Sequence, residues 1–376
     1  MPFEFPKDHM AFMENALAGQ DALLAKKPGD LGATYNKALM LLSIGRFEEG
    51  WPLFESRLKI TDAIFSYDWF PVRRWEGENI AGKSVLLWLE QGVGDQVMAA
   101  SMLPDLIAKG CDITVLADGR FAPLFRRSFP QITFYKTGDR VPERLRNWSF
   151  DVQFSVSDIG YIFRKDFDDF PRTAYIKPDP NKVAKLRAAY KTDSRPVIGF
   201  SWMSAELKRG VLKSIPPQLF GALLQHDNCK YVNLQYGDND ADMSVFDAMG
   251  CNYIVDRSID PLLSLDDCAA QIAACDMVVS SSNSTVHLAG AMGVETSVIV
   301  PIGHGRAWYW FTSMRDSPWY PSLKIHRCPK IDQWEVPIVE AKLDLQAFAC
   351  KFAPEVEKVK VCEIGGTTGY RLQHAY

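Results

Sequence analysis

The sequence predicts an α/β protein, with two parallel-sheet units in tandem behind a short helical extension. Three observations predict it. Residues 9–62 repeat apolar positions at helical spacing; from Ser84 short apolar runs alternate with helical stretches; and after a polar, proline-bearing linker the same alternation restarts at Val197. At 376 residues the chain is long for one core, which agrees with two units.

In the extension, Ala11 to Leu24 is amphipathic and is stopped by Pro28 and Gly29. Tyr35, Ala38, Leu39 and Leu42 then recur at helical spacing. Gly45-Arg46-Phe47 reads as a turn, and Glu48 to Leu58 as a resumed helix with Trp51, Phe54 and Leu58 on one side. Helix, glycine turn and helix is the unit of a tetratricopeptide array, here in one degenerate copy. A single unit cannot bury its own face, so these helices are expected to pack on the body or on a protein partner.

The first sheet begins with the apolar run Ser84 to Leu89, a glycine turn at Gly92-Val93-Gly94 and a helix from Asp95 to Lys109. Ile113 to Ala117, Ile132 to Tyr135 and Val152 to Val156 are further strands, with a helix at Phe121 to Arg127. Lys177 to Arg195 reads as a helix-bearing linker. In the second unit the strands are Val197 to Trp202, Tyr231 to Gln235, Ile254-Val255, Met277 to Ser280 and Ser297 to Pro301. Its helices are Pro217 to His226, Leu265 to Ala274 and Thr285 to Met292. Residues after 335 return to helical spacing and are expected to cross back to the first unit. The expected boundaries are 1–75 for the extension, 76–180 and 195–335 for the two units, and 336–376 for a C-terminal helical segment.

Composition narrows the function. The net charge of −4 lacks the basic surplus of a nucleic-acid binder. No apolar run approaches the roughly 20 residues that span a bilayer. Met1 to Met10 has no apolar signal core, so a cytoplasmic location is expected. The eight cysteines are scattered without a CxxC pair and read as reduced thiols, and none of the six histidines falls in a ligand-spaced cluster, so no metal site is expected.

Four segments have the composition to do chemistry. Glu90-Gln91-Gly92-Val93-Gly94-Asp95-Gln96 ends the first strand and opens a helix, the edge where open parallel sheets bind ligands. Asp95 has two competing roles there, capping the helix or acting as a general base toward a hydroxyl. Val97 stands three places after Gly94, so this is not a dinucleotide fingerprint. The second segment, Ser280-Ser281-Ser282-Asn283-Ser284-Thr285 with His287, reads either as a well-capped helix or as an anion site built from amides and hydroxyls. The third, Ser201-Trp202-Met203-Ser204 leading to Lys208, Arg209 and Lys213, is either a solvated basic loop or a diphosphate clamp. Gln235 and Tyr236 end a strand at the same edge and are candidates to contact a nucleobase. The fourth, Gly303 to Tyr320, is dense in aromatics that either stack on a ligand or seal a domain edge.

The combination resembles the bacterial tetratricopeptide-linked glycosyltransferases. The resemblance rests on Gly45-Arg46-Phe47-Glu48-Glu49-Gly50-Trp51 with Phe54-Glu55-Ser56-Arg57, on the Glu90 to Gln96 turn, on Asp267, Asp276 and Ser281 to Gly293, and on Ser317-Pro318-Trp319-Tyr320-Pro321. It runs from about residue 31 to 328. The family is related to ADP-heptose heptosyltransferases and, more distantly, to O-GlcNAc transferases.

The resemblance implies a GT-B fold, in which two Rossmann-like domains face each other across a nucleotide-sugar cleft. It implies inverting, metal-independent transfer from a nucleotide sugar to a hydroxyl of a protein or glycan/glycolipid acceptor, with no further cofactor. Asp95 becomes the expected base. Gly92, Gly94, Gln96, Trp202, Lys208, Lys213, Gln235, Ser281, Ser282, Asn283, Ser284, Thr285 and His287 are the expected donor contacts. The sequence departs from the family at Asn283, where an aspartate is usual, at Met203-Ser204, in the near-absence of repeats and in the Gly303 to Trp310 loop. Two rival readings remain, a non-catalytic nucleotide- or glycan-binding module and a nucleotide-sugar epimerase. The donor base, the sugar and the acceptor are not legible.

Overall fold

The computed structural model describes residues 7–60, 67–137, 150–170, 172–204 and 210–352. The extension holds helices α1 (Lys7–Lys26), α2 (Leu31–Ser43), α3 (Phe47–Phe54) and the short α4 (Arg57–Ile60). Asp30 caps α2 by accepting from the Ala33 amide at 3.0 Å. The helix expected from Glu48 to Leu58 is broken after Phe54. Pro52 removes a donor from the ladder, and tighter turns follow in which Ser56 donates to Leu53 and Leu58 to Glu55. The break turns Arg57 into the protein.

The first sheet contains β1 (Ser84–Trp88), β2 (Asp112–Asp118), β3 (Thr133–Thr137) and β4 (Val152–Ser155), all parallel, in the order β3-β2-β1-β4. Its helices are α5 (Val93–Ala99), α6 (Leu103–Ile107), α7 (Ala122–Ser128) and α8 (Gly160–Phe163). The single helix expected from Asp95 to Lys109 is split by a 3₁₀ turn at Ala100–Met102, because Pro104 fits only the opening turn of a new helix.

The helix α9 (Pro180–Tyr190) leads to the second sheet, formed by β5 (Val197–Ser201), β6 (Lys230–Asn233), β7 (Tyr253–Ile254), β8 (Met277–Ser281), β9 (Glu295–Val300) and β10 (Leu323–Arg327). It is also parallel, in the order β10-β9-β8-β5-β6-β7. It is flanked by α10 (Gly210–Lys213), α11 (Pro217–Gly221), α12 (Asp240–Ala248), α13 (Leu265–Ala273), α14 (Ser284–Met292) and α15 (Glu335–Cys350). The expected Pro217 to His226 helix stops at Gly221, while α12 and β10 were not expected from the sequence. The helix α15 does not cross back. It buries Ile338, Ala341, Leu345 and Phe348 with Phe200 and Phe220 on the second unit.

Strand order reverses between β1 and β4 in one sheet and between β5 and β8 in the other. Ligands of open parallel sheets bind outside the carboxyl ends of the strands at such switch points. The fold therefore offers two, one on each sheet.

The extension is part of the body. Trp51 donates its Nε1 hydrogen to the Arg164 carbonyl at 2.8 Å and meets Trp308 edge-on at 5.4 Å between ring centres. Phe47 packs against Phe167, Phe170 and Phe311. Each such ring contributes about 1.5–3 kcal/mol by leaving water. One apolar core runs from these helices through the first sheet to α14. No helix among the described residues is long and apolar enough to cross a membrane.

Candidate functional site

At the second switch point, the ends of β5 and β8 are tied by a hydrogen bond of 2.6 Å between the Ser201 and Ser280 hydroxyls. Asn283 caps α14, its Oδ1 accepting from the Thr285 amide at 3.0 Å. Its Nδ2 donates to Ser201 Oγ at 3.0 Å and to the Met203 carbonyl at 3.1 Å. An aspartate here could not donate to that carbonyl, so Asn283 has a physical reason. It locks the mouth of the site through both strands. Ser282 is buried and accepts from Trp310 Nε1 at 2.7 Å. Ser281 and Thr285 are also buried, which leaves Ser284 as the residue of this turn that reaches solvent. The turn thus presents the Ser284 hydroxyl and the positive end of α14.

Three expected contacts are corrected here. Trp202 is fully buried, and its Nε1 donates to Asp242 at 2.7 Å, so its ring faces the core and not a ligand. Gln235 uses its Oε1 to accept from the Trp202 and Met203 amides at 3.1 and 3.0 Å, and its Nε2 to donate to the Tyr236 carbonyl. Its amide is spent on shaping the loop. His287 is 1% exposed, shares Nδ1 with the Tyr320 hydroxyl at 2.8 Å and Nε2 with the Tyr309 hydroxyl at 3.3 Å, and stacks on Trp310. Burial, aided by the Lys213 charge, pulls its pKa down to about 3. It is a neutral core side chain with both nitrogens engaged. Lys213 closes α10 within electrostatic reach of that ring, whereas Lys208 lies outside the described residues.

At the first switch point, the chain leaves β1 through Gln91, whose φ of 68° is left-handed, and α5 opens with Gly92 as its N-cap. Asp95 is not the cap. It sits in the first helical turn, where its carboxylate favours the helix dipole, and it is half-exposed. Gln96, expected on the donor, is instead buried and donates Nε2 to the Gln91 carbonyl at 3.1 Å, bracing the strained turn. Gly92 remains exposed. Asp95 borders a small cavity with Trp51, Phe54, Ser157, Trp308 and Trp319. The aromatic loop thus resolves as a seal: Trp308, Tyr309, Trp310, Trp319 and Tyr320 are all buried, with contacts to Trp51 of the extension, to Phe170 and to His287 of α14.

Sequence reasoning missed the group that holds this edge together. Arg57 is 2% exposed and donates through Nη2 to Glu90 at 2.7 Å and through Nη1 to Asp158 at 2.6 Å. Ser155 joins the same carboxylate of Glu90 at 2.9 Å, and Tyr67 donates to Asp158 at 2.6 Å. The ends of β1 and β4 are therefore clamped by a residue of the extension. Arg57 and Glu90 both stand in motifs that carry the family resemblance, Phe54-Glu55-Ser56-Arg57 and the Glu90 to Gln96 turn, but nothing in the sequence pairs them.

The two switch points face each other. A Cβ atom added to Gly94 would stand 2.6 Å from Cδ2 of His287, so α5 and α14 meet through their first turns. Among the described residues no group of three or more histidine, cysteine, aspartate or glutamate side chains is placed to hold a metal ion. A larger cavity, lined by Tyr190, Arg195, Lys230 and Tyr253, lies at the amino-terminal ends of β6 and β7. No strand order reverses there, and no helix N-terminus expected to bind an anion opens into it, so the carboxyl edge is the better candidate.

No family model matches the chain. It is 32% identical over 364 residues to Protein FlbA of Caulobacter vibrioides, an alignment covering 92% of this chain. The chain spans only 60% of that relative's length. Among solved structures it is similar to the ADP-heptose LPS heptosyltransferase II of E. coli, with a TM-score of 0.53, 15% identity, and coverage of 71% of this chain and 99% of that one. A glycosyl transferase family 9 protein of Veillonella parvula gives a TM-score of 0.54 at 13% identity, covering 77% of this chain and 98% of that one. The chain therefore has the GT-B fold of the heptosyltransferases, two Rossmann-like units preceded by helices.

Proposed function

We propose that this protein is a glycosyltransferase that moves a sugar from a nucleotide sugar to a hydroxyl of a protein or glycan/glycolipid acceptor. One observation carries the reading: an anion-ready helix start at one switch point faces a half-exposed carboxylate at the other, across the Gly94–His287 contact. The likeness in fold to a heptosyltransferase supports it.

In this reading the diphosphate rests on the first turn of α14, held by backbone amides and Ser284, with Lys213 supplying positive charge. Asp95 takes the proton of the acceptor hydroxyl as that oxygen attacks the anomeric carbon from the face opposite the leaving diphosphate. Inversion at that carbon follows from a single displacement, and the mechanism requires no metal. Arg57 acts as a positioning residue, because it fixes Glu90 and Asp158 on either side of the turn that carries Asp95. The aromatic seal keeps the Asp95 side of the site dry, which limits hydrolysis of the donor.

A thermal-shift panel of UDP, GDP, ADP, CMP and their sugars tests the reading. A nucleotide at about 100 times its Kd adds about 2.7 kcal/mol to apparent stability. One base should stand out. A flat response across the panel would remove the donor site, and binding without transfer or donor hydrolysis would favour a non-catalytic module.

A further inference from the structure

Three basic side chains, His9 of α1, Arg306 of the loop after β9 and Arg327 at the end of β10, lie within electrostatic reach of one another, and no carboxylate among the described residues pairs with them. Arg327 closes β10, and its Nη2 donates to the carbonyls of Trp310 at 3.0 Å and Met314 at 3.3 Å. Its Nη1 is buried without a hydrogen-bond partner, and so is Nε2 of His9. Arg306, in the loop after β9, is half-buried and has no counter-charge among the described residues. The three groups act on one another. Burial lowers the pKa of each; the charges of Arg306 and Arg327 lower His9 further, and that of Arg306 helps bring Arg327 down to about 10.

Burying unpaired like charges together is costly, and donors left without acceptors add to the cost. An oxyanion would relieve both. Guanidinium forks match carboxylate and phosphate oxygens in bidentate fashion, and a neutral imidazole adds one more N–H donor. The cluster is also wired to the edge described above. Trp310, whose carbonyl holds Arg327, donates its Nε1 hydrogen to Ser282. The turn preceding Arg306 packs so closely on α10 that a Cβ on Gly305 would stand 2.5 Å from the Leu212 carbonyl oxygen.

We propose that His9, Arg306 and Arg327 form an oxyanion-binding site that receives a carboxylate or phosphate group of a small-molecule ligand. A carboxylate ligand here is independent of the glycosyltransferase reading, whereas a nucleotide phosphate would rest on it. Its position beside Ser282 and α10 fits either a nucleotide phosphate or the carboxylate of an acidic sugar.

The test is melting temperature and calorimetric affinity on the full chain with inorganic phosphate, UDP and N-acetylneuraminate, at ionic strength fixed with sodium chloride. Saturable stabilisation by phosphate or UDP that is lost in Arg306→Met identifies a phosphate site here, UDP stabilisation that survives in that variant belongs to the α14 turn and counts against the site, and stabilisation by N-acetylneuraminate identifies a carboxylate site. Arg306→Met should weaken the responsive ligand about tenfold or more, the loss of one charge-assisted contact. Because Arg306 has no counter-charge to lose among the described residues, the same variant should melt at or above the wild-type temperature without anion. Arg327→Lys, which keeps the charge but loses the fork, should weaken binding with the fold intact. Equal responses to all three compounds and to chloride, or full binding by Arg306→Met, would overturn the site.

Discussion

Gly94 and His287 are in contact because neither can be larger or elsewhere: the ring fills the space where a Cβ at Gly94 would be, 2.6 Å from Cδ2 and 3.1 Å from Nε2. Tyr309, Tyr320 and Trp310 hold the imidazole on its other sides, so it cannot yield cheaply. Gly94→Ala should therefore cost about 1–3 kcal/mol, the range for overpacking a well-packed site. Urea unfolding would show a lower midpoint at an unchanged slope. Adding His287→Ala should recover part of that loss, because the two effects share one contact.

The same histidine makes the fold acid-sensitive. Its pKa is about 3 in the folded protein, against about 6.5 unfolded. The unfolded chain thus binds the extra proton first. This contribution to stability is complete above about pH 6.5 and is lost as the pH falls toward 3, at up to about 1.4 kcal/mol per pH unit. His287→Gln should flatten the stability curve between pH 6.5 and 4 relative to the wild type. Parallel curves for the two proteins would show that His287 titrates normally.

Arg57 predicts a different kind of loss. Replacing it with alanine strands Glu90 and Asp158 in a buried position, and breaking such a cluster costs about 3–5 kcal/mol. The exposed pair Arg315–Glu340 is the control, where Arg315→Ala should change stability by less than about 1 kcal/mol. If the two variants unfold at the same denaturant concentration, Arg57 is not the clamp described here.

Asp95→Asn removes the proposed base and keeps its shape. Transfer should fall by about 10²–10⁴, the usual contribution of a positioned base, while nucleotide affinity stays near normal. Initial rates with a responsive donor and water or a peptide hydroxyl as acceptor report this. Retained turnover would reassign the base.

Much of the architecture was legible because buried parallel strands are written as apolar runs. Val85 to Trp88, Val197 to Phe200 and Met277 to Val279 are such runs, and they became the central strands. The errors were local. Pro52 and Pro104 broke helices that apolar spacing alone read as continuous. The strand Leu323–Arg327 was missed because it lies at the sheet edge and its apolar run is broken by the exposed Lys324. For the site, the turns were found but many of the side chains were misassigned. Trp202, Gln235 and His287 are polar or aromatic groups at the expected edge, yet each is directed to a partner distant in sequence, and Gln96 turns back onto the carbonyl of Gln91. A linear pattern marks which loop meets a ligand, but not which side chains the loop uses on itself. Arg57 shows the converse: its partners Glu90 and Asp158 are 33 and 101 residues away, and no local spacing announces them.

Amide hydrogen exchange with and without a saturating nucleotide tests the central claim most directly. The account predicts that the nucleotide that raises the melting temperature will slow exchange at Ser284 to Val286 and at Gly92 to Gln96 together. Protection confined to the Gln225–Ile254 region, around the cavity at the opposite end of the second sheet, would contradict it.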